Sequence, residues 1–186
     1  MLTTQDAAVA DCLRNLRSHG MTSLTWDRHQ GHAYTYDVTD LGYNYRIDEI
    51  RSAIGREQLA KLGKNNARRR TLTEMYRESL AEFVPEMNIP FSHTHGESSC
   101  HILPSLLPAG TNRNQFMDAM KAQGIQTSIH YPPIHTFHAY RLENFPHGDL
   151  SKTEDVASRE VTLPLYPGLQ DEQVAWVAQA AAAALR

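Results

Sequence analysis

The composition of this 186-residue chain excludes several broad classes of protein before any motif is considered. Hydrophobic residues make up 41% of the chain and charged residues 21%, with a formal net charge of -3, which is typical of a soluble globular protein able to bury a core. A nucleic-acid-binding protein would be expected to carry an excess of basic residues, so a nucleic-acid partner is disfavoured.

Cysteine usage and the longest apolar run predict a cytoplasmic protein with no membrane partner. The two cysteines, Cys12 and Cys100, form neither a disulfide framework nor a CxxC pair, which is typical of a reducing compartment. The chain does not open on a signal segment. Its longest apolar run, "AWVAQAAAAAL" at 175–185, is too short and too weakly hydrophobic to span a bilayer, and it predicts a terminal helix.

The N-terminal third predicts a strand end, a helix and a long loop. "MLTT" at 1–4 predicts the end of a strand, and Thr3 or Thr4 is expected to cap a helix that Gly20 ends. One face of that helix carries Val9, Cys12, Leu13 and Leu16. The stretch 21–40 predicts a loop, because it shows no pattern of pairing strands.

Two helices are predicted next, with a domain boundary between residues 60 and 70. The first starts at Arg46 and places Ile47, Ile50 and Ile54 on one side, followed by Leu59 and Leu62. The second starts near Asn65 and carries Leu72, Met75, Tyr76, Leu80 and Phe83 at near-helical spacing.

The second half alternates predicted strands and helices. Strands are predicted at 100–107, 125–131 and 161–168, and helical segments at 111–124, 151–160 and 171–186. In the helix at 111–124, Thr111 or Asn112 is the expected cap, with Phe116 and Met120 on one face and Gly124 as the stop. In "IQTSIHY" at 125–131, the alternating pattern predicts one buried face and leaves His130 facing outward on the other. The residues expected on the buried face are Ile125, Thr127, Ile129 and Tyr131. The alternation predicts a small α/β layer.

Several common site chemistries lack their motifs. The ten histidines include His130, His135 and His138, but none of them has the spacing of a zinc site, so no bound metal is predicted. GxSxG, GxGxxG and GxxxxGK motifs are absent, which disfavours a nucleophilic serine and a nucleotide-binding loop.

Two short motifs remain, and each has a structural and a functional interpretation. In "GYNYR" at 42–46, Asn44 could satisfy free N–H groups at a helix start with Tyr43 and Tyr45 packed beneath, or Asn44 and Arg46 could bind an anion such as a phosphate. In "SIHYPPIH" at 128–135, the histidines could simply face water, or the double proline could fix His130 and Tyr131 for ligand contact.

Three segments in order resemble one known family over essentially the whole chain. They are "TWDRHQGHAYTYDVTDLGYNYRIDEIRSAIGREQLAKLGKNNARRR", "GIQTSIHYPPIH" and "ASREVTLPLYPGL". Their order and spacing resemble the C-terminal half of the DegT/DnrJ family of pyridoxal-phosphate-dependent sugar aminotransferases.

The resemblance implies a fold, a cofactor and partners. The fold would be the C-terminal part of a type I aminotransferase, α/β in class, with 1–62 as the end of the large cofactor domain and 63–186 as the small domain. Family members work as homodimers with sites at the subunit interface, on a nucleotide-sugar substrate and an amino donor, typically glutamate.

Site residues carried over from the family fall into two groups. Asn44 would hydrogen-bond the phosphate of pyridoxal 5'-phosphate in the neighbouring subunit, with Tyr43, Tyr45 and Arg46 shaping the same region. His130, Tyr131 and His135 would lie on the side of the substrate.

The chain also departs from the family pattern, because no residue matches the lysine that forms the Schiff base with the cofactor. Lys61, Lys64, Lys121 and Lys152 lack the family's Ser-x-x-x-Lys context followed by Gly-Gly, so no catalytic residue is assigned. The expected interpretation is the C-terminal portion of a sugar aminotransferase in polysaccharide biosynthesis, inactive as an isolated chain. One half of a split enzyme and a non-catalytic binding or regulatory module are the alternatives.

Overall fold

A computed structural model describes residues 2–22, 37–92, 95–140 and 148–186. The chain divides into two compact units, Met1–Ala60 and Lys61–Arg186. The interpretation of the first unit as part of a large cofactor domain, and of the second as a small domain, stays a prediction. None of the helices in the described ranges is both long and apolar enough to cross a membrane.

The first unit begins with helix α1, Ala7–Leu16, which starts at a different cap from the predicted one. The carboxylate of Asp6 accepts hydrogen bonds from the main-chain N–H groups of Ala8, at 2.8 Å, and Val9, at 3.2 Å. The predicted Thr3 or Thr4 cap is therefore wrong. The strand predicted at "MLTT" is also wrong for residues 2–4, because no described backbone pairs with them. Of the loop predicted at 21–40, residues 23–36 lie outside the described residues.

One helix, α2, replaces the two helices predicted in the middle of the chain. It runs without interruption over Glu49–Phe83, 35 residues, so both the start at Arg46 and the break before Asn65 are wrong. Asp48 accepts a hydrogen bond from the N–H of Arg51 at 2.8 Å, which sets the start of the helix. Gly55 and Gly63 lie in open space, and a glycine costs a helix about 1 kcal/mol without preventing it.

The second unit is built on a two-stranded antiparallel sheet. Strand β1, Leu103–Leu106, pairs with β2, Glu160–Leu163, in a register that sets Leu103 opposite Leu163. Isolated bridges extend the sheet on both sides, at Asn88 beside Leu106 and at Ser128 beside Thr162.

The strand predicted at 125–131 is reduced to the bridge at Ser128. Ser128 and Thr162 exchange main-chain hydrogen bonds of 3.1 and 2.8 Å, and two prolines that cannot donate follow at 132 and 133. Ile125 is buried as predicted, whereas Tyr131 is 76% exposed, so the predicted burial of Tyr131 is wrong.

Helices cover this sheet and complete its core. They are α3, Arg113–Ala122, α4, Ser151–Arg159, and α5, Asp171–Ala184, with 3₁₀ turns at Ile134–Thr136 and His138–Tyr140. Asn112 caps α3, and Phe116 and Met120 are buried, so all three predictions are confirmed. The core also takes in side chains from α2, both strands and α5, among them Leu72, Tyr76, Leu80, Leu103, Val161, Leu163, Val174 and Val177.

A buried tyrosine links α2 to the segment after β2. The hydroxyl of Tyr76 donates a hydrogen bond to the main-chain carbonyl of Pro164 at 2.9 Å. Burial, and secondarily the neighbouring Tyr166, raise the pKa of Tyr76 well above its ordinary value, because the charged phenolate would be poorly solvated there. Tyr76 therefore remains a hydrogen-bond donor across the physiological pH range.

An ion pair in α4 predicts a pH-dependent contribution to stability. Arg159 donates to the Asp155 carboxylate at 3.0 Å and to the Leu107 carbonyl at 2.8 Å, and its hydrogen bond to Asp155 lowers the pKa of that carboxyl. A carboxyl whose pKa falls on folding stabilises the protein fully above its ordinary value of about 4, and loses this effect as the pH drops through the folded-state value. We expect Asp155→Asn to lower the urea midpoint slightly at about pH 7 and not at about pH 2.

The control for this prediction is Asp118→Asn. Asp118 is exposed and has no ion-pair partner among the described residues, so its replacement should change the midpoint little at either pH. A midpoint difference for Asp155→Asn that is the same at both pH values would contradict the prediction.

Candidate functional site

The "GYNYR" segment is attached to the C-terminal end of α1 by main-chain hydrogen bonds. The N–H of Tyr43 donates to the carbonyl of Leu16 at 2.6 Å, and the N–H of His19 donates to the carbonyl of Tyr43 at 2.9 Å. The N–H of Tyr45 donates to the carbonyl of Arg17, also at 2.9 Å. These bonds bracket Asn44, which forms an antiparallel bridge with Ser18.

Two glycines permit this close approach of backbones. A Cβ added at Gly42 would lie 2.2 Å from the main-chain nitrogen of Gly20 and 2.8 Å from the carbonyl oxygen of Leu16. Gly20 has φ +67°, and a Cβ there would lie 2.0 Å from the carbonyl oxygen of Asp40. Side chains at these positions would push the segment away from α1.

The polar side chains of this segment form a small exposed cluster. Arg46 donates from Nε to Oδ1 of Asn44 at 2.9 Å, and its terminal nitrogen lies 3.3 Å from Nε2 of His19. Asn44 therefore does not cap α2, and Asp48 does. The rings of Tyr43 and Tyr45 stack at 5.0 Å between centroids and are exposed. The structural interpretation of this motif, with a capping Asn44 above packed tyrosines, is wrong.

The cluster presents hydrogen-bond donors to an incoming anion. Because Oδ1 of Asn44 is occupied by Arg46, its two Nδ2 hydrogens are the available groups, and they have no partner among the described residues. Arg46 adds a positive charge beside them. His19 was not predicted, and no motif marks it; only its contact with Arg46 brings it into the cluster.

His130 in the second unit is tied to β2 and does not face water freely. Its main-chain N–H donates to Oε2 of Glu160 at 2.9 Å, and its Nδ1 lies 2.8 Å from Oγ1 of Thr162. The Thr162 hydroxyl donates to Oε1 of Glu160 at 2.6 Å. These contacts leave His130 half-buried, with Nδ1 held against β2, so its side chain does not simply face water.

Tyr131 and His135 make contacts different from those of His130. The Tyr131 ring meets the His130 ring edge-on, 4.8 Å between centroids, and is otherwise open to solvent. Nε2 of His135 lies 3.1 Å from Oε1 of Glu154 in α4. No hydrogen bond between described residues joins His130 to His135.

Sequence reasoning missed Glu160, Thr162 and Glu154. Glu160 is only 7% exposed, and its carboxylate has no ion-pair partner within the described ranges, which is uncommon for a buried glutamate. The feature that marks Glu160 is a carboxylate at the start of a strand whose four residues are all buried.

The lysines and the potential metal ligands add no further site. Lys61 and Lys64 lie on α2, Lys121 on α3 and Lys152 on α4, and all four are exposed. Within the described ranges, no group of three or more His, Cys, Asp or Glu side chains could hold a metal ion.

Comparison with known proteins then decides the family. The sequence profile of the DegT/DnrJ/EryC1/StrS aminotransferase family matches residues 1–182. The chain belongs to this aminotransferase family. The spore coat polysaccharide biosynthesis protein SpsC of Bacillus subtilis strain 168 is 30% identical over 181 residues, covering 94% of this chain and 46% of its own length.

Solved structures of family members share the fold. Helicobacter pylori PseC, an aminotransferase involved in the biosynthesis of pseudoaminic acid, superposes with a TM-score of 0.83 and 25% identity, over 98% of this chain and 47% of its own. DesI, solved in the presence of its TDP-sugar product, gives a TM-score of 0.79 and 26% identity, over 99% and 45%. The predicted fold class, an α/β part of the pyridoxal-phosphate-dependent aminotransferase fold, is confirmed.

The chain spans about half the length of the relatives that it matches. Its family is one of pyridoxal-phosphate-dependent sugar aminotransferases, as predicted from the three motifs.

Proposed function

We propose that this chain forms the C-terminal part of an aminotransferase that moves an amino group, with glutamate as donor, to a nucleotide-linked keto-sugar in polysaccharide or surface-glycan biosynthesis. The observation that carries the proposal is the family match across residues 1–182, a range that contains both candidate motifs of this chain, "GYNYR" and "SIHYPPIH". SpsC is named for the biosynthesis of spore coat polysaccharide, PseC is involved in the biosynthesis of pseudoaminic acid, and DesI was solved with its TDP-sugar product.

The exposed cluster of the first unit fits the phosphate group of pyridoxal 5'-phosphate. The free amide hydrogens of Asn44 and the guanidinium of Arg46 are donors of the kind that bind phosphate oxygens. Tyr43 flanks them and can limit access of water. When bound, the cofactor supplies an electron sink for amino-group transfer, and these residues hold its anionic end in place.

The residues proposed to contact the substrate lie on the second unit. The rings of His130 and Tyr131 meet in a T-shaped arrangement, and His135 is held by Glu154, so three side chains capable of hydrogen bonding stand near the 3₁₀ turn that follows the double proline. Proline restricts the backbone there, which reduces the entropy lost when a nucleotide-sugar is bound.

A homodimer with shared sites would cover an apolar face formed by the start of α2 and by Ile47, two residues before it. Ile47, Ile50 and Ile54 recur at helical spacing, and all three are more than half exposed. An exposed row of isoleucines is costly in water, and it fits a surface that another subunit or the remainder of the enzyme covers. The Asn44 cluster lies directly before this row in sequence.

The isolated chain is proposed to be inactive. Its four lysines are exposed on helix surfaces, and none lies in the family's motif context. A covalent site for the cofactor would come from the large domain.

Reconstitution tests this function. The chain is expressed alone, together with the large cofactor domain of a full-length family member as a separate polypeptide, and fused to that domain. We expect cofactor binding and glutamate-dependent amination of a nucleotide-linked keto-sugar in the fused protein and neither in the chain alone. Activity from two separate polypeptides would favour a split enzyme.

The proposed contact of Asn44 with the cofactor phosphate is tested by Asn44→Asp. This substitution keeps the size of the side chain and replaces its two amide donors by a negative charge. It should weaken retention of pyridoxal 5'-phosphate by at least about tenfold, because like charges repel and two donors are lost. Asn114→Asp is the control and should have little effect, because Asn114 is exposed on α3 in the second unit and its side chain makes no hydrogen bond to a described residue. A fused protein that binds no cofactor would contradict the proposed function.

A further inference from the structure

Three hydrogen bonds connect His130, Thr162 and Glu160 in a closed arrangement within the second unit. The carboxylate of Glu160 accepts from the main-chain N–H of His130 on Oε2, at 2.9 Å, and from the hydroxyl of Thr162 on Oε1, at 2.6 Å. Oγ1 of Thr162 lies 2.8 Å from Nδ1 of His130. Glu160 and Thr162 are both buried, so water does not compete for these groups.

The direction of each bond follows from the protons that are available. A main-chain N–H can only donate, so Oε2 of Glu160 accepts. A threonine hydroxyl has one hydrogen, and Thr162 gives it to Oε1 of Glu160. Oγ1 of Thr162 can therefore only accept from His130, which requires the proton on Nδ1 of the imidazole.

We propose that Glu160 and Thr162 are positioning residues that hold a proton on Nδ1 of His130, so that in the neutral imidazole the lone pair of Nε2 accepts a hydrogen bond from the ligand. Nε2 of His130 has no hydrogen-bond partner among the described residues. The ligand group at this point is a donor, such as a sugar hydroxyl. This inference rests on the proposed function only in placing His130 beside the substrate; the position of the proton does not depend on it.

Glu160→Gln is expected to reverse the direction of the hydrogen bonds that run from His130 through Thr162 to residue 160. The main-chain N–H of His130 still needs an acceptor, so the glutamine carbonyl must face it and the NH₂ group must face Thr162. Thr162 then accepts from the amide and donates its own hydrogen to Nδ1 of His130. The imidazole proton moves to Nε2, which becomes a donor.

The position of the proton is measured by ¹⁵N NMR of the imidazole nitrogens in the full chain at about pH 9, where free histidine is neutral. The His130 signals are assigned by their loss in His130→Gln. We expect the Nδ1–H form in the parent protein and the Nε2–H form in Glu160→Gln. Thr162→Ser keeps the hydroxyl and should preserve the Nδ1–H form, whereas Thr162→Val should give a mixture of both forms.

Each outcome decides the inference. An Nε2–H form in the parent protein, or an unchanged Nδ1–H form in Glu160→Gln, would overturn the positioning role, whether or not the chain proves to be part of an aminotransferase. A purely structural role for Glu160 would lower stability without moving the proton. Circular dichroism of each variant separates loss of folding from a change of tautomer.

The proposed hydrogen bond from the nucleotide-sugar to Nε2 of His130 is tested in the fused enzyme described above. Glu160→Gln should raise KM for the nucleotide-sugar by about tenfold and leave KM for glutamate unchanged. The hydrogen bond from the sugar hydroxyl to Nε2 of His130 would be lost, because Nε2 would then carry a hydrogen and two donors would face each other. An unchanged KM for the nucleotide-sugar would overturn the acceptor role of Nε2. Failure of the fused parent enzyme to aminate any sugar would instead count against the proposed function, and the NMR result would stand.

Discussion

Phe116→Ala is expected to lower the free energy of unfolding of the second unit by about 3–5 kcal/mol, as large-to-small replacements of buried aromatic residues do. Phe116 is 1% exposed and lies on α3, which packs against both α5 and β2. Its removal would open a cavity that the surrounding side chains, fixed by strands and helices, can fill only in part. Urea unfolding followed by far-ultraviolet circular dichroism measures the loss.

Phe91→Ala is the matched control for this prediction. Phe91 is 73% exposed, so the same truncation removes little buried surface, and the expected change is within about 0.5 kcal/mol. If the two replacements destabilised the protein equally, α3 would not pack in the core as described. The prediction thus tests the position of α3 as well as the size of the effect.

Gly42→Ala is expected to detach the "GYNYR" segment from α1. The new Cβ would lie 2.2 Å from the nitrogen of Gly20 and 2.5 Å from the carbonyl carbon of His19, which are backbone atoms that cannot turn aside. Relieving the clash requires breaking the main-chain bonds of Tyr43 and Tyr45 to α1. Amide hydrogen exchange at Tyr43 and Tyr45 should accelerate by at least about tenfold.

A second glycine supplies the control for that experiment. Gly55 lies within α2, where an added Cβ would meet nothing within 4 Å. Gly55→Ala should therefore stabilise the helix by about 0.5–1 kcal/mol and leave exchange at Tyr43 unchanged. Unchanged exchange at Tyr43 in Gly42→Ala would show that the segment is not held against α1. In the fused enzyme, Gly42→Ala should also weaken cofactor retention, because Asn44 and Arg46 would lose their support.

Local sequence signals predicted the second unit best. Asn112 was expected as a cap and is one, because an asparagine before a helical pattern can satisfy free N–H groups without help from distant residues. Phe116 and Met120 were expected on one face and are buried, since helical spacing alone places them together. The same reasoning placed β1, β2 and α5 in the right stretches of chain.

Predictions failed where the outcome depended on a partner distant in sequence. "IQTSIHY" alternates as a strand does, yet it forms one bridge, at Ser128, because only that residue finds a pairing backbone in β2. His130 was expected to face outward, but Glu160 and Thr162, thirty or more positions later, bind it. Pairing of this kind is a property of the fold and leaves no mark in a short window of sequence.

By itself, the sequence determined the family, helices α3 to α5 and the identity of the residues in the two candidate motifs. These follow from the order of the motifs and from local residue spacing, which can be recognised without a structure. Only the tertiary structure decided what Asn44 and His130 do with their hydrogen bonds. Asn44 accepts from Arg46 and does not cap α2, and His130 receives its orientation from a buried glutamate. The direction of a hydrogen bond depends on which partner the fold brings within about 3 Å, and that distance is set by packing across the chain.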